Sequence, residues 1–263
     1  MKEVESNKHA WSQVSKDHYE YFKKALTEGT YQLNSHIQKE IGNLSGKSII
    51  HLQCNTGADT IMLARISASA VGVDLVPDNI LYAKKLADDM NVTNIEFIES
   101  DIMELSAKHN EKYDVVFVSE GAIGWLPDLA KWGQTIRHLL KDDGYFYIFE
   151  SHPFALMLDE GKLSNGITEI KYPYFKKKPD FDSTIGGYAS EVKHGVETFF
   201  WQYKVSDVIN SLSAAGLRIE YFNEFQENYY DMGGGKRVDG NLYNFEFNKG
   251  LFPMTFSLKA KIY

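Results

Sequence analysis

Ser48-Ile49-Ile50-His51-Leu52-Gln53-Cys54-Asn55-Thr56-Gly57-Ala58-Asp59-Thr60-Ile61-Met62-Leu63-Ala64-Arg65 contains a strand, a turn and a helix in succession. Ile49, Ile50 and Leu52 have strand character, Ile61 to Ala64 are apolar and helical, and the polar residues 53–57 make the turn between them. In an open α/β sheet, ligands sit at the carboxyl ends of strands, beside such turns. A pyrophosphate-binding turn needs three glycines for close backbone approach, and only Gly57 is present. Asp59, in the first helical turn, suits the helix dipole but repels a pyrophosphate. A phosphate-free ligand fits better. One-glycine turns are also plain connections in α/β proteins, so the turn alone leaves both readings open.

Around this stretch the composition is that of an ordinary globular protein, 263 residues long with a formal net charge of −8. An acidic balance argues against general nucleic-acid affinity, which depends on Lys and Arg neutralising phosphates. Lys176, Lys177 and Lys178 form a local basic run that reads as a solvated loop. With Cys54 as the single cysteine there is no partner for an intramolecular disulfide and no thiol set for zinc, so no metal site is expected. Cys54 itself reads as a small packing residue in a tight turn. The amino terminus is charged and polar, and no later run approaches the ~20 apolar residues of a membrane span. A cytoplasmic location without membrane contact is the expectation.

Before the first strand, Trp11, Val14, Tyr19, Phe22, Leu26, Leu33 and Ile37 recur at helical spacing, with Gly29 as a break, which predicts two helices. After it, residues 70–74 form a second strand ending in Asp74, and residues 94–101 a third ending in Asp101. Asp74 follows Gly57 by about the ~20 positions at which a carboxylate reaches a ribose diol in nucleotide-binding βαβ units. Asp101 can accept from an adenine amine, with Ile102 as an apolar wall; the commoner use of either acid is a helix N-cap. Residues 113–118 make a buried fourth strand followed by a glycine-broken loop to Pro127, and residues 145–150 a fifth after the turn at residues 141–144. Five strands alternating with helices predict a parallel doubly wound α/β sheet. Residues 154–200 are rich in Gly, Lys and aromatics without sustained period and read as a lid or strand excursion. A helix at residues 205–215, a sixth strand at residues 217–225, a loop at Gly233-Gly234-Gly235 and a last strand at residues 254–262 complete the chain.

Taken together these segments resemble the class I S-adenosylmethionine (SAM)-dependent methyltransferases, over roughly residues 46–150 plus the last helix and two strands. The family's opening Asp-Leu-Gly-Cys-Gly-x-Gly is matched by His51-Leu52-Gln53-Cys54-Asn55-Thr56-Gly57, with departures at His51, Gln53 and Asn55. Those departures resemble a variant subgroup with His-Leu-Gln-Cys followed by Gly-x-Asp-Thr. Val71-Gly72-Val73-Asp74, Glu99-Ser100-Asp101-Ile102, residues 114–125 and Leu139-Leu140-Lys141-Asp142-Asp143-Gly144 are similar to the later motifs in the right order. The resemblance implies a Rossmann-like seven-stranded sheet with an antiparallel last strand in three αβα layers. It implies SAM as cofactor, held by Gln53, Cys54, Asn55, Gly57, Asp74, Leu75, Asp101, Ile102, Ser119 and Glu120.

Methyl transfer needs the acceptor aligned with the sulfonium and, where it carries a proton, a base. His152, after the fifth strand, and Glu120, after the fourth, are the expected bases, and Tyr19, Trp125, Trp201 and Tyr203 the expected acceptor contacts. A loop imidazole and core packing are the plain readings of these residues. The expected organisation is one domain over residues 1–263: amino-terminal helices (1–45), a SAM-binding core (46–153), a lid or substrate insertion (154–200), and the last helix and strands (201–263). A small-molecule acceptor is expected, and a homodimer is left open. A SAM-binding protein without catalysis and a nicotinamide-dependent oxidoreductase are the alternatives.

Overall fold

The computed structural model of the chain describes residues 1–176, 178–187, 189–239 and 241–263, so the middle lysine of the basic run, Lys177, lies outside the described residues. Seven strands form the main sheet: β1 (Ser48–Leu52), β2 (Ser69–Asp74), β3 (Ile95–Glu99), β4 (Tyr113–Ser119), β5 (Leu140–Ser151), β6 (Leu217–Phe225) and β7 (Thr255–Ile262). Their order is β6-β7-β5-β4-β1-β2-β3. The pairs β3/β2, β2/β1, β1/β4 and β4/β5 are parallel, while β7 runs antiparallel to both β5 and β6. The expected α/β fold with its antiparallel last strand is therefore present. The chain leaves β1 toward β2 on one side and reaches β4 on the other, so the strand order reverses there and opens a crevice outside the carboxyl ends.

Among the described residues, seven helices accompany the sheet: α1 (Lys2–Thr27), α2 (Ser35–Glu40), α3 (Ala58–Ala64), α4 (Pro77–Asp89), α5 (Ile102–Lys108), α6 (Leu129–Leu139) and α7 (Val205–Ala214). Strand alternation divides the core between the two faces. Ile50, Leu52, Val116, Val118, Phe146 and Ile148 point toward α5, α6 and α7, meeting Ile102, Trp132, Ile136 and Leu212. Ile49, Val115, Phe117, Tyr147 and Phe149 point the other way, onto Leu33 just before α2, Ile37 of α2 and Leu63 of α3. Burial on both faces explains the unbroken apolar run of β4. Among the described residues no helix is long and apolar enough to cross a membrane.

Two segments differ from expectation. Residues 141–144, expected as a turn before the fifth strand, lie within β5, where the register with β4 slips between Tyr113/Leu140 and Val115/Tyr145. Lys141 there reaches back to Asp114 Oδ2 at 2.9 Å, which ties the irregular stretch to the sheet. The glycine run at residues 233–235 leads into a hairpin, Lys236–Asp239 against Leu242–Asn244, that carries no clear sequence signal.

Residues 154–200 form a short helix, Glu160–Leu163, and a two-part ribbon in which Asp180–Asp182 pairs with Thr198–Phe200, and Ile185–Gly187 with Ser190–His194. The ribbon is tied to α1. The Asn7 side chain both donates to Phe199 O and accepts from Phe199 N, each at 2.7 Å, and Ser190 donates to Asp17 at 2.6 Å. Ala10 and Val14 pack on Ile185 below these bonds.

Candidate active site

Outside the carboxyl ends of β1 to β4 lies a cavity of about 770 Å³, roofed by α1, the ribbon and the segment after β6. Its floor is the turn after β1. Gln53, Asn55 and Gly57 all take positive φ, of 57°, 52° and 80°. Only glycine fits the last of these, because a Cβ on Gly57 would lie 2.7 Å from the Phe97 ring. Cys54 is buried behind the turn, its amide donating to Val73 O, and burial pushes its thiol pKa well up; it is a packing residue.

Asp74, at the end of β2, is buried and lines the cavity. Its Oδ1 accepts from Val76 N (2.9 Å) and Asn79 Nδ2 (3.1 Å), and its Oδ2 from Asn55 N (2.9 Å). Ser15 of α1 donates to Asn79 Oδ1 at 2.6 Å, which turns the Asn79 amide group toward the carboxylate. Burial outweighs these bonds and raises the Asp74 pKa to about 6. Of about four acceptor positions on a carboxylate, three are taken, so Asp74 has room for about one further donor, not two. Asp101 caps α5 by accepting from Met103 N at 2.8 Å through Oδ1, and also lines the cavity with Ile102.

On the β4 side, Ser119 donates to Asp59 Oδ2 at 2.7 Å, and Tyr31 donates to Asp59 Oδ1 at 2.6 Å. Glu120, at φ 45°, accepts from Asn34 Nδ2 at 2.8 Å, and the same Asn34 caps α2 by accepting from Ile37 N. Burial, with the nearby charges of Asp59 and Glu150, drives the Glu120 pKa well above the ordinary carboxylate value, against the Asn34 bond. The loop after β4 is pinned from below. Glu150, 2 % exposed, accepts from the amides of Gly121, Ala122, Ile123 and Ser151 at 2.6–3.0 Å.

The sequence profile of the methyltransferase domain family matches residues 43–178, half of the chain. The chain belongs to that family. This methyltransferase domain is 29% identical over 116 residues to a ubiquinone biosynthesis O-methyltransferase of Actinobacillus pleuropneumoniae, covering 43% of the chain and 49% of that relative. The chain thus spans about half the length of this curated relative. Its fold is similar to that of an S-adenosylmethionine-dependent methyltransferase from Mesorhizobium loti, with a TM-score of 0.60 and 18% identity over 86% of this chain and 95% of that one. It is also similar to the glycopeptide N-methyltransferase MtfA in complex with (S)-adenosyl-L-methionine, with a TM-score of 0.54 and 14% identity over 87% and 92% of the two chains. The cofactor carried in the latter structure is the one expected from the motifs.

Within the methyltransferase domain, every residue expected at the cofactor lines the cavity: Gln53, Cys54, Asn55, Gly57, Asp74, Leu75, Asp101, Ile102, Ser119 and Glu120. The expected catalytic and acceptor residues divide. Glu120 and Trp125 line it. His152 does not, and its expected role as a base is corrected: strand alternation turns Ser151 to the cavity and His152 to the opposite face, edge-on to Phe256. There His152 Nδ1 accepts from Phe154 N and Nε2 lies 2.9 Å from Glu224 Oε1, and burial lowers its pKa. Tyr19 is likewise displaced, stacked on Tyr82 between α1 and α4 with its hydroxyl on Asp89. Tyr203 donates to Leu126 O at 2.5 Å and packs on the core, and the Trp201 amide donates to Gly124 O; neither lines the cavity.

Other aromatic groups line the cavity instead. Trp11 of α1 and Phe200 of the ribbon flank Trp125 edge-on, each at 5.2 Å, and Tyr229, after β6, donates or accepts at Ser151 Oγ (2.7 Å). The aromatic richness of both segments was visible in the sequence. Their meeting on one side of Trp125 was not, and no local signal marks Asn34, Asn79 or Tyr229.

Proposed function

We propose that the chain moves a methyl group from S-adenosylmethionine to a small-molecule acceptor. The observation that carries this reading is that one cavity gathers, in motif order, the turn at residues 53–57, Asp74, Asp101 and Ser119-Glu120. The cofactor supplies a methyl group on a sulfonium centre. Asp74 receives a ribose hydroxyl, Asp101 the adenine amine through its uncapped oxygen, and Ile102 and Leu75 bound the ring. Trp11, Trp125 and Phe200 exclude water and hold an acceptor in line, which is the main requirement of a displacement at carbon. Glu120 is the residue placed to take a proton from the acceptor, now that His152 faces away. Residues 1–263 act as one domain in this reading, with α1 and residues 154–200 as its roof.

Calorimetry with SAM and S-adenosylhomocysteine tests the reading, with NADH as the control ligand. Both sulfur ligands are expected to bind and NADH not. Asp74→Ala should lose one charge-assisted bond and release Asn55, Val76 and Asn79, weakening binding by about tenfold or more. Unchanged affinity would place the ribose elsewhere. Transfer of labelled methyl into a metabolite extract separates an enzyme from a binding protein.

A further inference from the structure

The acceptor half of the cavity carries acids without a matching cation. Glu120 accepts from Asn34 Nδ2 through Oε1, and its Oε2 has no donor among the described residues. The charges acting on it are those of Asp59 and Glu150, both anionic. Among the described residues the lining holds no arginine and one lysine, Lys8, which lies 3.6 Å from Glu99 Oε1. Lys171 and Lys193 act on Glu160, an exposed acid of the lining, and are not part of the lining themselves. The imidazole of the lining, His51, has both nitrogens engaged, with Thr60 at 2.9 Å and Ser119 at 3.2 Å.

Beside Glu120 stands an aromatic wall. Trp125 follows on the same loop, with Trp11 and Phe200 set edge-on to it at 84° and 85°. The Tyr229 hydroxyl lies against this loop too, where a Cβ on Gly121 would meet it at 2.9 Å. Glu120, Trp11, Trp125, Phe200 and Tyr229 all line the cavity, and each keeps part of its surface exposed, so a molecule in the cavity can touch them. Aromatic faces attract cations through their ring quadrupole, as a carboxylate does through its charge.

We propose that the acceptor is an amine on an apolar or aromatic body, its ammonium donating to Glu120 Oε2 and its body resting against Trp11, Trp125 and Phe200. This rests on the methyl-transfer reading above and deepens it by naming the acceptor class. An ammonium is all donor, and it relieves the repulsion among Glu120, Asp59 and Glu150, which are held by the Asn34 side chain, hydroxyls and backbone amides. A carboxylate or phosphate on the acceptor would add to that repulsion. The proton balance points the same way. An ammonium and a phenol both ionise near about 10, but the phenol leaves an anion beside Asp59 and Glu150, whereas the ammonium leaves a neutral amine. In the step, one N–H proton moves to Glu120 Oε2. The freed nitrogen pair forms the N–C bond while the C–S bond breaks, its electron pair staying on sulfur. The product leaves as a methylated ammonium beside a thioether, and Glu120 gives its proton to water.

The test uses the full chain, SAM labelled in its methyl group, and a metabolite extract divided by ion exchange into cationic, neutral and anionic fractions. Label is expected from the cationic fraction alone, in a product that stays cationic, resists base hydrolysis and is held by a reversed-phase column. Glu120→Gln, its fold checked by S-adenosylhomocysteine binding, should need about tenfold more of that fraction, or worse, for half its maximal rate. Its residual transfer should climb more steeply than that of the parent from about pH 7 to about pH 9, where free amine needs no base. Identical pH profiles for the two proteins would reduce Glu120 to a structural role. The fractions decide the acceptor class even if Glu120→Gln does not fold. Label from the neutral or anionic fraction, or in an ester that base releases, would overturn the amine while leaving methyl transfer standing. A product that the reversed-phase column does not hold would overturn the aromatic seat. If S-adenosylhomocysteine binds and no fraction takes label, small-molecule transfer falls, and this inference with it.

Discussion

At the scale of single residues, the site is built by neutral donors that orient carboxylates in a buried space. Glu150 shows how far this goes: an acid inside an otherwise apolar strand collects four backbone amides and so shapes the loop that carries Glu120 and Trp125. His51 does the reverse, linking Thr60 and Ser119 while remaining uncharged. Its pKa is lowered to about 4, first by burial, with Asp59 opposing. Because the folded value lies below that of the unfolded chain, unfolding takes up a proton between about pH 6.5 and pH 4. The contribution of neutral His51 is therefore complete above about 6.5 and is lost as the pH falls toward 4, by about 3 kcal/mol. Asp74 and Glu120, with raised values, act in the opposite sense, so the comparison must be between two proteins. Chemical denaturation from pH 7 to pH 4 should show the parent losing about 3 kcal/mol more than His51→Gln. Parallel pH profiles would mean that His51 is protonated in the folded state.

At the scale of elements, the contact between the loop after β4 and the ribbon shapes the aromatic wall of the cavity. Gly124 lies in the single helical turn Ile123–Trp125, and a Cβ on it would run into the Phe200 ring. The Gly124 carbonyl also accepts from Trp201 N at 2.7 Å, so the two segments approach through backbone. Gly124→Ala should push Phe200 and its strand away and cost about 1–3 kcal/mol, as overpacking does. Denaturation curves check the cost, and the double variant Gly124→Ala/Phe200→Ala should recover part of it. If the double variant is no more stable than Gly124→Ala, the clash is not the cause.

For the whole molecule, α1 joins the two halves of the site. Ser15 reaches Asp74 through Asn79, Trp11 stands against Trp125, and Asn7 binds the ribbon backbone. A ligand that engages Asp74 therefore acts on a layer tied to residues 180–200. Hydrogen exchange with saturating S-adenosylhomocysteine should show added protection in residues 1–20 and 180–200, as expected of a roof that closes over its ligand. Protection confined to residues 53–57 and 74–79 would mean a fixed roof.

The sheet was legible from the sequence because parallel strands buried on both faces must be continuous apolar runs, as residues 49–52, 70–73 and 113–118 are. The acids at strand ends were legible for a related reason: Asp74 ends an apolar run and Asp101 follows the next strand, where the topology puts a crevice. Beyond that, local pattern carried little. Only β-strand parity beside β7 decided that His152 faces Phe256 while Ser151 faces the cavity. The ribbon at residues 180–200 lacks a clean alternation because it packs on α1 rather than on a sheet of its own. Trp11, Asn34, Trp125, Phe200 and Tyr229 meet across long separations in the chain, and such meetings follow from packing, which no single stretch of sequence encodes. The sequence by itself determined the sheet and the strand-end residues that floor the cavity; the tertiary structure alone decided its roof, its aromatic wall and the direction each polar group faces.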